Sequence, residues 1–140
     1  MKISARNVLG GTVDKVTKGA VNAEIELQLA AGDKVVAVIT NNSADALQLN
    51  QGKAAYAVIK ASEVMIGKNL EGARLSARNV LAGVVAHLQA GAVNSEVVVR
   101  LSEGSEVVAS ITKASVAALD LKVGDQVSAI VKASHVMIGV

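Results

Sequence analysis

The stretch VNAEIELQL, residues 21–29, alternates apolar and polar side chains without a break. A period of two is typical of a β-strand with one buried and one solvent-facing side. Gly32 then marks a turn, and KVVAVIT, residues 34–40, predicts a second strand. This part of the chain is therefore expected to form a sheet.

Further strand-like segments lie on both sides of this pair: Ile3–Leu9, a glycine-punctuated segment through Val13 and Val16, Lys53–Lys60, and a short tail at Val64–Ile66. Between them, Asn42–Leu49 carries apolar residues at helical spacing after an Asn/Ser capping candidate. Four to five strands and one helical turn in about 65 residues favour a closed or nearly closed Greek-key barrel of the OB type.

The chain is an internal duplication. Shifting it by 72 residues aligns Ile3–Gly67 with Leu75–Gly139 without a gap, and 33 of the 65 aligned positions are identical. The polar segment KNLEGAR connects the two copies. We therefore predict an all-β protein with two tandem OB-like five-stranded barrels, each with a short helix, over residues 1–67 and 75–140, joined by a linker at 68–74.

The composition predicts an aliphatic core. The 140 residues include one Tyr and no Phe, Trp or Pro, so the core must consist of Val, Ile, Leu and Ala. This favours β structure but buries less area per residue than an aromatic core would. A unit of this size and composition is marginal alone, so we expect a homo-oligomer.

Charge and cysteine content exclude several classes of function. A net charge of +2 without long runs of like charge argues against binding to nucleic acid or membranes through bulk charge. The absence of cysteine excludes disulfides and thiolate metal sites. The N-terminal MKISARNVLGG lacks an apolar signal region, and no 18-residue apolar stretch occurs, so we expect an unexported, cytoplasmic protein.

The polar residues that both copies retain form a compact set. In the first copy these are Ser4, Arg6, Asn7, Asn22, Glu24, Thr40, Ser43, Lys60 and Ser62; in the second they are Ser76, Arg78, Asn79, Asn94, Glu96, Thr112, Ser115, Lys132 and Ser134. A tetrahedral dianion needs several hydrogen-bond donors at once, some of them charged. Arginine, lysine and hydroxyl groups meet that need, and backbone N–H groups at Ser43 would add donors.

Taken singly, each residue has a simpler interpretation: Ser43 as a helix N-cap, Arg6 or Lys60 as a solvated charge, Asn22 in a turn, and Glu24 paired across strands or facing water. Their joint retention favours a shared site. Other charged positions changed between the copies, at Glu63 to His135, Asp14 to Ala86 and Lys34 to Glu106.

The motifs SARN, GAVNAEI, ITxxS and KASxVMIG occur in this order and, with small changes, twice. In this the chain resembles the molybdenum-binding Mop domain, also called the TOBE-type molybdate domain, along essentially its whole length. The resemblance implies OB-like barrels, assembly into a trimer, and sites between domains that bind molybdate or tungstate without an organic cofactor. It also implies a role in intracellular molybdenum storage or homeostasis.

The resemblance also implies site residues. Ser4, Ala5 and Arg6 are expected on one side of an interdomain pocket, with Thr40, Ser43, Lys60, Ala61 and Ser62 facing them from the neighbouring domain. The second copy repeats the set as Ser76, Ala77, Arg78, Thr112, Ser115, Lys132, Ala133 and Ser134. A further oxyanion site near a threefold axis is expected at Gly19, Ala20, Val21 and Asn22, and at Gly91, Ala92, Val93 and Asn94.

Other classes of function are less well supported. No catalytic pair or metal cluster occurs in both copies, and His87 and His135 are each present in only one, so we do not expect an enzyme. Base stacking on an OB fold needs aromatic side chains, whereas Tyr56 has no aromatic counterpart, so nucleic acid is not an expected partner. A structural or protein-interaction module stays open as the alternative.

Overall fold

The computed structural model describes residues 1–140, which form two five-stranded antiparallel sheets. The first repeat (residues 3–67) contains β1 Asn7–Lys18, β2 Asn22–Leu29, β3 Lys34–Thr40, α1 Asn41–Ala46, β4 Ala54–Ile59, a 3₁₀ turn at Ala61–Glu63 and β5 Met65–Gly67. The second repeat (residues 75–139) contains β6 Asn79–Ala90, β7 Asn94–Leu101, β8 Glu106–Thr112, α2 Lys113–Ala118, β9 Gln126–Val131, a 3₁₀ turn at Ala133–His135 and β10 Met137–Gly139.

The two repeats exchange their last strands. The strand orders are β10-β4-β1-β2-β3 and β5-β9-β6-β7-β8, so each sheet takes its fifth strand from the other repeat. The all-β class, the curled five-stranded sheets and the short helices are confirmed. The origin of the fifth strand differs from the expected barrel of one repeat, because the MIG segment that forms it is identical in both repeats and sequence does not specify which fourth strand it pairs with.

One apolar core runs through both repeats. The strand predicted at residues 21–29 is confirmed, and its inward residues Ala23, Ile25, Leu27 and Leu29 are buried. The buried apolar residues form a single cluster that includes Val97 and Val99 of the second repeat. The repeats are therefore packed together, as well as linked by the exchanged strands.

Strand β1 begins later and runs further than predicted. It starts at Asn7 instead of Ile3 and continues through the two glycines to Lys18, with a bulge between Val13 and Lys15. At Gly11 a Cβ atom would lie 2.4 Å from the carbonyl oxygen of Gln28, so only glycine permits this close approach to β2. Residues before Asn7 leave the sheet, which places them at the edge of the neighbouring repeat.

The helix in each repeat is shorter than predicted. It covers Asn41–Ala46 instead of Asn42–Leu49, because Thr40 supplies the N-cap and Gln48 adopts a positive φ of 52° that ends the helical path. In the second repeat Thr112 caps α2 in the same way. No helix has the length and apolar character that crossing a bilayer would need.

Two buried asparagines join the repeats. The Asn7 side chain donates to the Val108 carbonyl at 2.8 Å and accepts from the Val108 N–H at 2.7 Å. The Asn79 side chain makes the same two bonds to Val36, both 2.8 Å long. Each amide thus pairs with the edge strand of the other repeat as a strand residue would, which fixes how the segments before β1 and β6 meet the opposite sheet.

Candidate functional site

The residues before β1 and after β4 meet at one end of the first sheet. Asn7 pairs with Ile59 in the antiparallel ladder, so the chain segments beyond them leave the sheet side by side. Together they line a depression of about 360 Å³. Its lining residues are Ile3, Ser4, Ala5, Arg6, Lys60, Ala61, Ser62 and Met137.

This depression gathers six of the eight site residues predicted for the first repeat. They all come from the same repeat, whereas the prediction placed Lys60 and Ser62 on the neighbouring domain. The reason is the β1–β4 pairing, which sequence periodicity does not reveal. In the second repeat Asn79 pairs with Val131, and this brings Ser76, Ala77 and Arg78 beside Lys132, Ala133 and Ser134.

Three polar side chains of the depression are free to bind a ligand. The Lys60 ammonium and the Ser4 and Ser62 hydroxyls are exposed and make no hydrogen bond or ion pair within the chain. Lys132 in the second repeat is exposed and unpaired in the same way. Each repeat therefore presents an ammonium and two hydroxyls, which are suited to an anion with several acceptor oxygens.

The arginine of each set is paired with a glutamate of the other repeat. Arg6 donates to Glu96 through both terminal nitrogens, at 2.5 and 2.8 Å, and Arg78 donates to Glu24 at 2.6 Å. The hydrogen bond from Arg6 lowers the pKa of the Glu96 carboxyl, and the bonds to the glutamates raise the pKa of both guanidinium groups. Glu24 therefore pairs with an arginine of the other repeat, and its side chain stays partly exposed to solvent.

Thr40 and Ser43 lie outside the depression. The Ser43 N–H donates to Thr40 Oγ1 at 3.0 Å, and the two hydroxyls are 2.9 Å apart. Thr112 and Ser115 repeat this arrangement at 3.0 and 2.8 Å. Ser43 is thus neither the N-cap nor a source of a free backbone N–H, because the threonine three residues earlier already caps the helix.

The segments Gly19–Asn22 and Gly91–Asn94 form the exposed turns between the first two strands of each repeat. Gly19 donates to the Asn22 carbonyl at 2.7 Å, and the Asn41 N–H donates to the Val21 carbonyl at 2.8 Å. Val21 and Val93 are 70% and 74% exposed at the tips. Since Asn22 pairs with Thr40, each turn lies beside a Thr/Ser pair instead of beside the arginine.

Strand register indicates which Thr/Ser pair lies nearer to which arginine. Glu96, the partner of Arg6, is two residues from Asn94 on β7, and Asn94 pairs with Thr112. Residues two apart share a face of a strand and are separated by about 7 Å. Arg6 is thus bound to a residue that lies about 7 Å along β7 from the partner of Thr112. The 3₁₀ turn after Lys60 also packs against β8.

Sequence reasoning did not assign Glu24 and Glu96 to the site. The signal was present, since both copies retain the glutamate two residues after a retained asparagine. The retained sequence did not show that each glutamate binds an arginine, because that arginine lies in the other repeat. No group of three or more His, Cys, Asp or Glu side chains is placed to hold a metal ion.

Comparison with known proteins agrees with this duplicated architecture. The TOBE domain family matches residues 3–66 and again residues 75–138. The chain belongs to the TOBE domain family. The resemblance inferred from the four motifs is thereby confirmed, and the two matches correspond to the two repeats.

Several relatives of these TOBE domains are named for molybdenum. The chain is 44% identical over 138 residues to the molybdenum-pterin-binding protein MopA of Rhodobacter capsulatus, covering 99% of this chain and 52% of that protein. It is 38% identical over 140 residues to the molybdenum transport protein ModE of Herbaspirillum seropedicae, again covering 52% of the relative. The chain thus spans about half the length of these relatives.

A solved structure matches both TOBE domains together. The cytoplasmic molybdate-binding protein ModG, in a crystal form with molybdate bound, is 51% identical, with a TM-score of 0.95. The match covers 100% of this chain and 99% of that one. The pair of TOBE domains, with its exchanged strands, is therefore an arrangement that a known molybdate-binding protein shares over its whole length. These relatives are named as binding or transport proteins, and none as an enzyme.

Proposed function

We propose that this chain binds tetrahedral oxyanions, molybdate or tungstate above all, without an organic cofactor and without catalysis. The observation that carries the proposal is the depression in which Ser4, Arg6, Lys60 and Ser62 converge. Two cations beside two hydroxyls match the charge and the acceptor oxygens of a dianion. The likeness to ModG supports molybdate as the anion, and storage or homeostasis in the cytoplasm as the role.

Each chain would hold two such sites, related by the duplication. The first combines Ser4–Arg6 and Lys60–Ser62 with the second repeat's Thr112 and Ser115. The second combines Ser76–Arg78 and Lys132–Ser134 with Thr40 and Ser43. This allocation rests on the glutamate that each arginine binds in the other repeat. That glutamate is two residues from the asparagine that pairs with the threonine of the same repeat.

Titration calorimetry with molybdate tests the proposal, with sulfate and phosphate as competing ligands. We expect saturable binding with more than one site per chain and little response to sulfate. Heat from molybdate no greater than heat from sulfate would overturn the proposal. It would then favour the alternative of a structural or interaction module.

Arginine variants locate the sites. Arg6→Ala should weaken one site by about a hundredfold and leave the other in place, because a charged donor to the dianion is lost. Arg78→Ala should do the converse. Arg100→Ala is the matched control, since Arg100 forms a surface ion pair with Glu106 outside the depression. Equal binding by all three variants would show that the arginines do not contact the anion.

We further propose that the protein is a homo-oligomer, with a trimer as the expected state. On the outer face of the first sheet, Val8 and Met137 flank Val58 in one row across β1, β4 and β10, and Tyr56 lies next to it. Val8, Tyr56 and Met137 are 36%, 42% and 48% exposed. Val58 between them is buried, and the three exposed apolar side chains around it favour a subunit contact. Sedimentation analysis should give the mass of three chains.

A further inference from the structure

The arginine that the proposed function assigns to each oxyanion site already has a carboxylate partner. Glu96 accepts from both terminal nitrogens of Arg6, and Glu24 accepts from Arg78. The pairs are reciprocal, since each links an arginine of one repeat to a glutamate of the other. Both copies have kept both members, while other charged positions diverged.

The carboxylate and an oxyanion would compete for the same donors. A guanidinium presents a rigid fork of N–H groups that fits a carboxylate or a tetrahedral oxyanion through two parallel bonds. The edge of Arg6 that holds both oxygens of Glu96 cannot hold an oxyanion at the same time. Lys60 and Lys132 have no such partner, so the competition concerns the arginine alone.

The exchange is feasible because the glutamates are accessible to solvent. The side chains of Arg6 and Glu96 are 54% and 36% exposed, and those of Arg78 and Glu24 are 50% and 31% exposed. Ion pairs at such exposure are weak, since water solvates both partners after separation. A dianion that also contacts Lys60 and the hydroxyls would outcompete a monovalent carboxylate for Arg6.

We propose that Glu96 and Glu24 limit the affinity for anions, each as the resident counter-ion of a site arginine that the oxyanion must displace. The displaced carboxylate stays near the bound anion and repels it. Both effects lower the affinity for every anion, and the repulsion lowers it more for a dianion such as molybdate than for a monoanion. This inference rests on the proposed function and adds to it a carboxylate that opposes binding.

Replacing the carboxylates by amides tests the inference. The variant Glu24→Gln/Glu96→Gln of the full chain is titrated with molybdate and with perrhenate, a tetrahedral monoanion. We expect molybdate affinity to rise by about tenfold, as for removal of one nearby like charge under solvent screening. Perrhenate affinity should rise less, because the repulsion by a carboxylate scales with the charge of the anion.

Controls separate this effect from a change in the fold. Glu106→Gln removes a carboxylate that pairs with Arg100 outside the depression, and its molybdate affinity should equal that of the wild type. Thermal unfolding of each variant without ligand identifies any loss of structure. If an amide variant is unstable, Glu96→Ala and Glu24→Ala provide the same charge removal singly.

The outcomes are distinct. Suppose that the wild type binds molybdate and that the folded amide variants bind it equally or more weakly. This result overturns the counter-ion role alone, and the glutamates are then structural or positioning residues. An equal gain for molybdate and perrhenate also overturns it, because a relaxed pocket would not distinguish their charges. Wild-type protein that does not bind molybdate overturns the proposed function itself.

Discussion

The two repeats are half identical in sequence, yet some of the contacts between them are not equivalent. Glu63 and His135 occupy the same position of the two repeats, and the His135 Nδ1 and Glu63 Oε2 atoms lie 2.9 Å apart. Two glutamates at this point would repel each other. A duplicated chain can place different residues on the two sides of its internal symmetry axis, which a symmetric dimer of one repeat cannot do.

A second difference concerns the turn after β2 and its counterpart in the other repeat. The buried Asp33 of the first repeat accepts hydrogen bonds from the Glu103 and Ser105 N–H groups, at 3.0 and 3.1 Å. Its counterpart is Ser105, whose side chain makes no hydrogen bond to the first repeat. The Asp33 carboxylate thus binds the turn of the other repeat, and no equivalent contact exists in the opposite direction. The ion pair between Lys68 and Asp125 likewise has no counterpart. The residues proposed to bind the oxyanion stayed alike while these contacts between the repeats diverged.

The largest expected loss of stability comes from replacing either of the two buried asparagines. Asn7→Ala leaves the Val108 N–H and carbonyl without partners and also loses a bond to the Ile59 carbonyl, so it should lower the free energy of unfolding by about 4 kcal/mol. Asn79→Ala loses the two bonds to Val36 and should cost about 3 kcal/mol. Urea unfolding measures both, with the exposed Asn42→Ala as control. A loss no greater than that of the control would show that these amides do not join the repeats.

A smaller change in the free energy of unfolding, of opposite sign, is expected when Ser95 is replaced. Its hydroxyl is buried without a hydrogen-bond partner, and the equivalent residue of the first repeat is Ala23. Ser95→Ala should raise the free energy of unfolding by about 1 kcal/mol, and Ala23→Ser should lower it by about as much. Thermal unfolding of the two variants compares the repeats directly. A loss of stability in Ser95→Ala would mean that this hydroxyl stabilises the fold.

The smallest effect depends on pH. Hydrogen bonds from Lys68 and from the Lys122 N–H lower the pKa of Asp125. A lowered pKa contributes stability above the ordinary value of about 4, and this contribution is lost as pH falls through the lowered value. Asp125→Asn should therefore unfold at a lower temperature than wild type at pH 7, with the difference shrinking towards pH 2. The exposed Asp45→Asn is the control, and a difference that stays constant with pH would contradict the prediction.

Local patterns predicted much of the fold because they depend on near neighbours. The alternation in residues 21–29 identified β2, and the repeat itself identified two similar units. The predicted ends of the elements were less accurate. The helix is capped by Thr40 instead of the predicted Asn/Ser position, and β1 begins at Asn7 instead of Ile3. At both places a side-chain hydrogen bond, to Ser43 in one case and to Val108 in the other, decided the boundary.

For the site, the sequence by itself determined the inventory of donors, since retention in both copies singled out the arginine, the lysine and the hydroxyls. Only the tertiary structure decided how they are grouped. The β1–β4 register brings Arg6 beside Lys60, and the packing of the repeats gives Arg6 its partner Glu96. A strand's period of two specifies which side of a strand a residue faces, but not which strand lies next to it. With two similar repeats in one chain, that choice depends on the exchanged strands and on the contacts between the repeats.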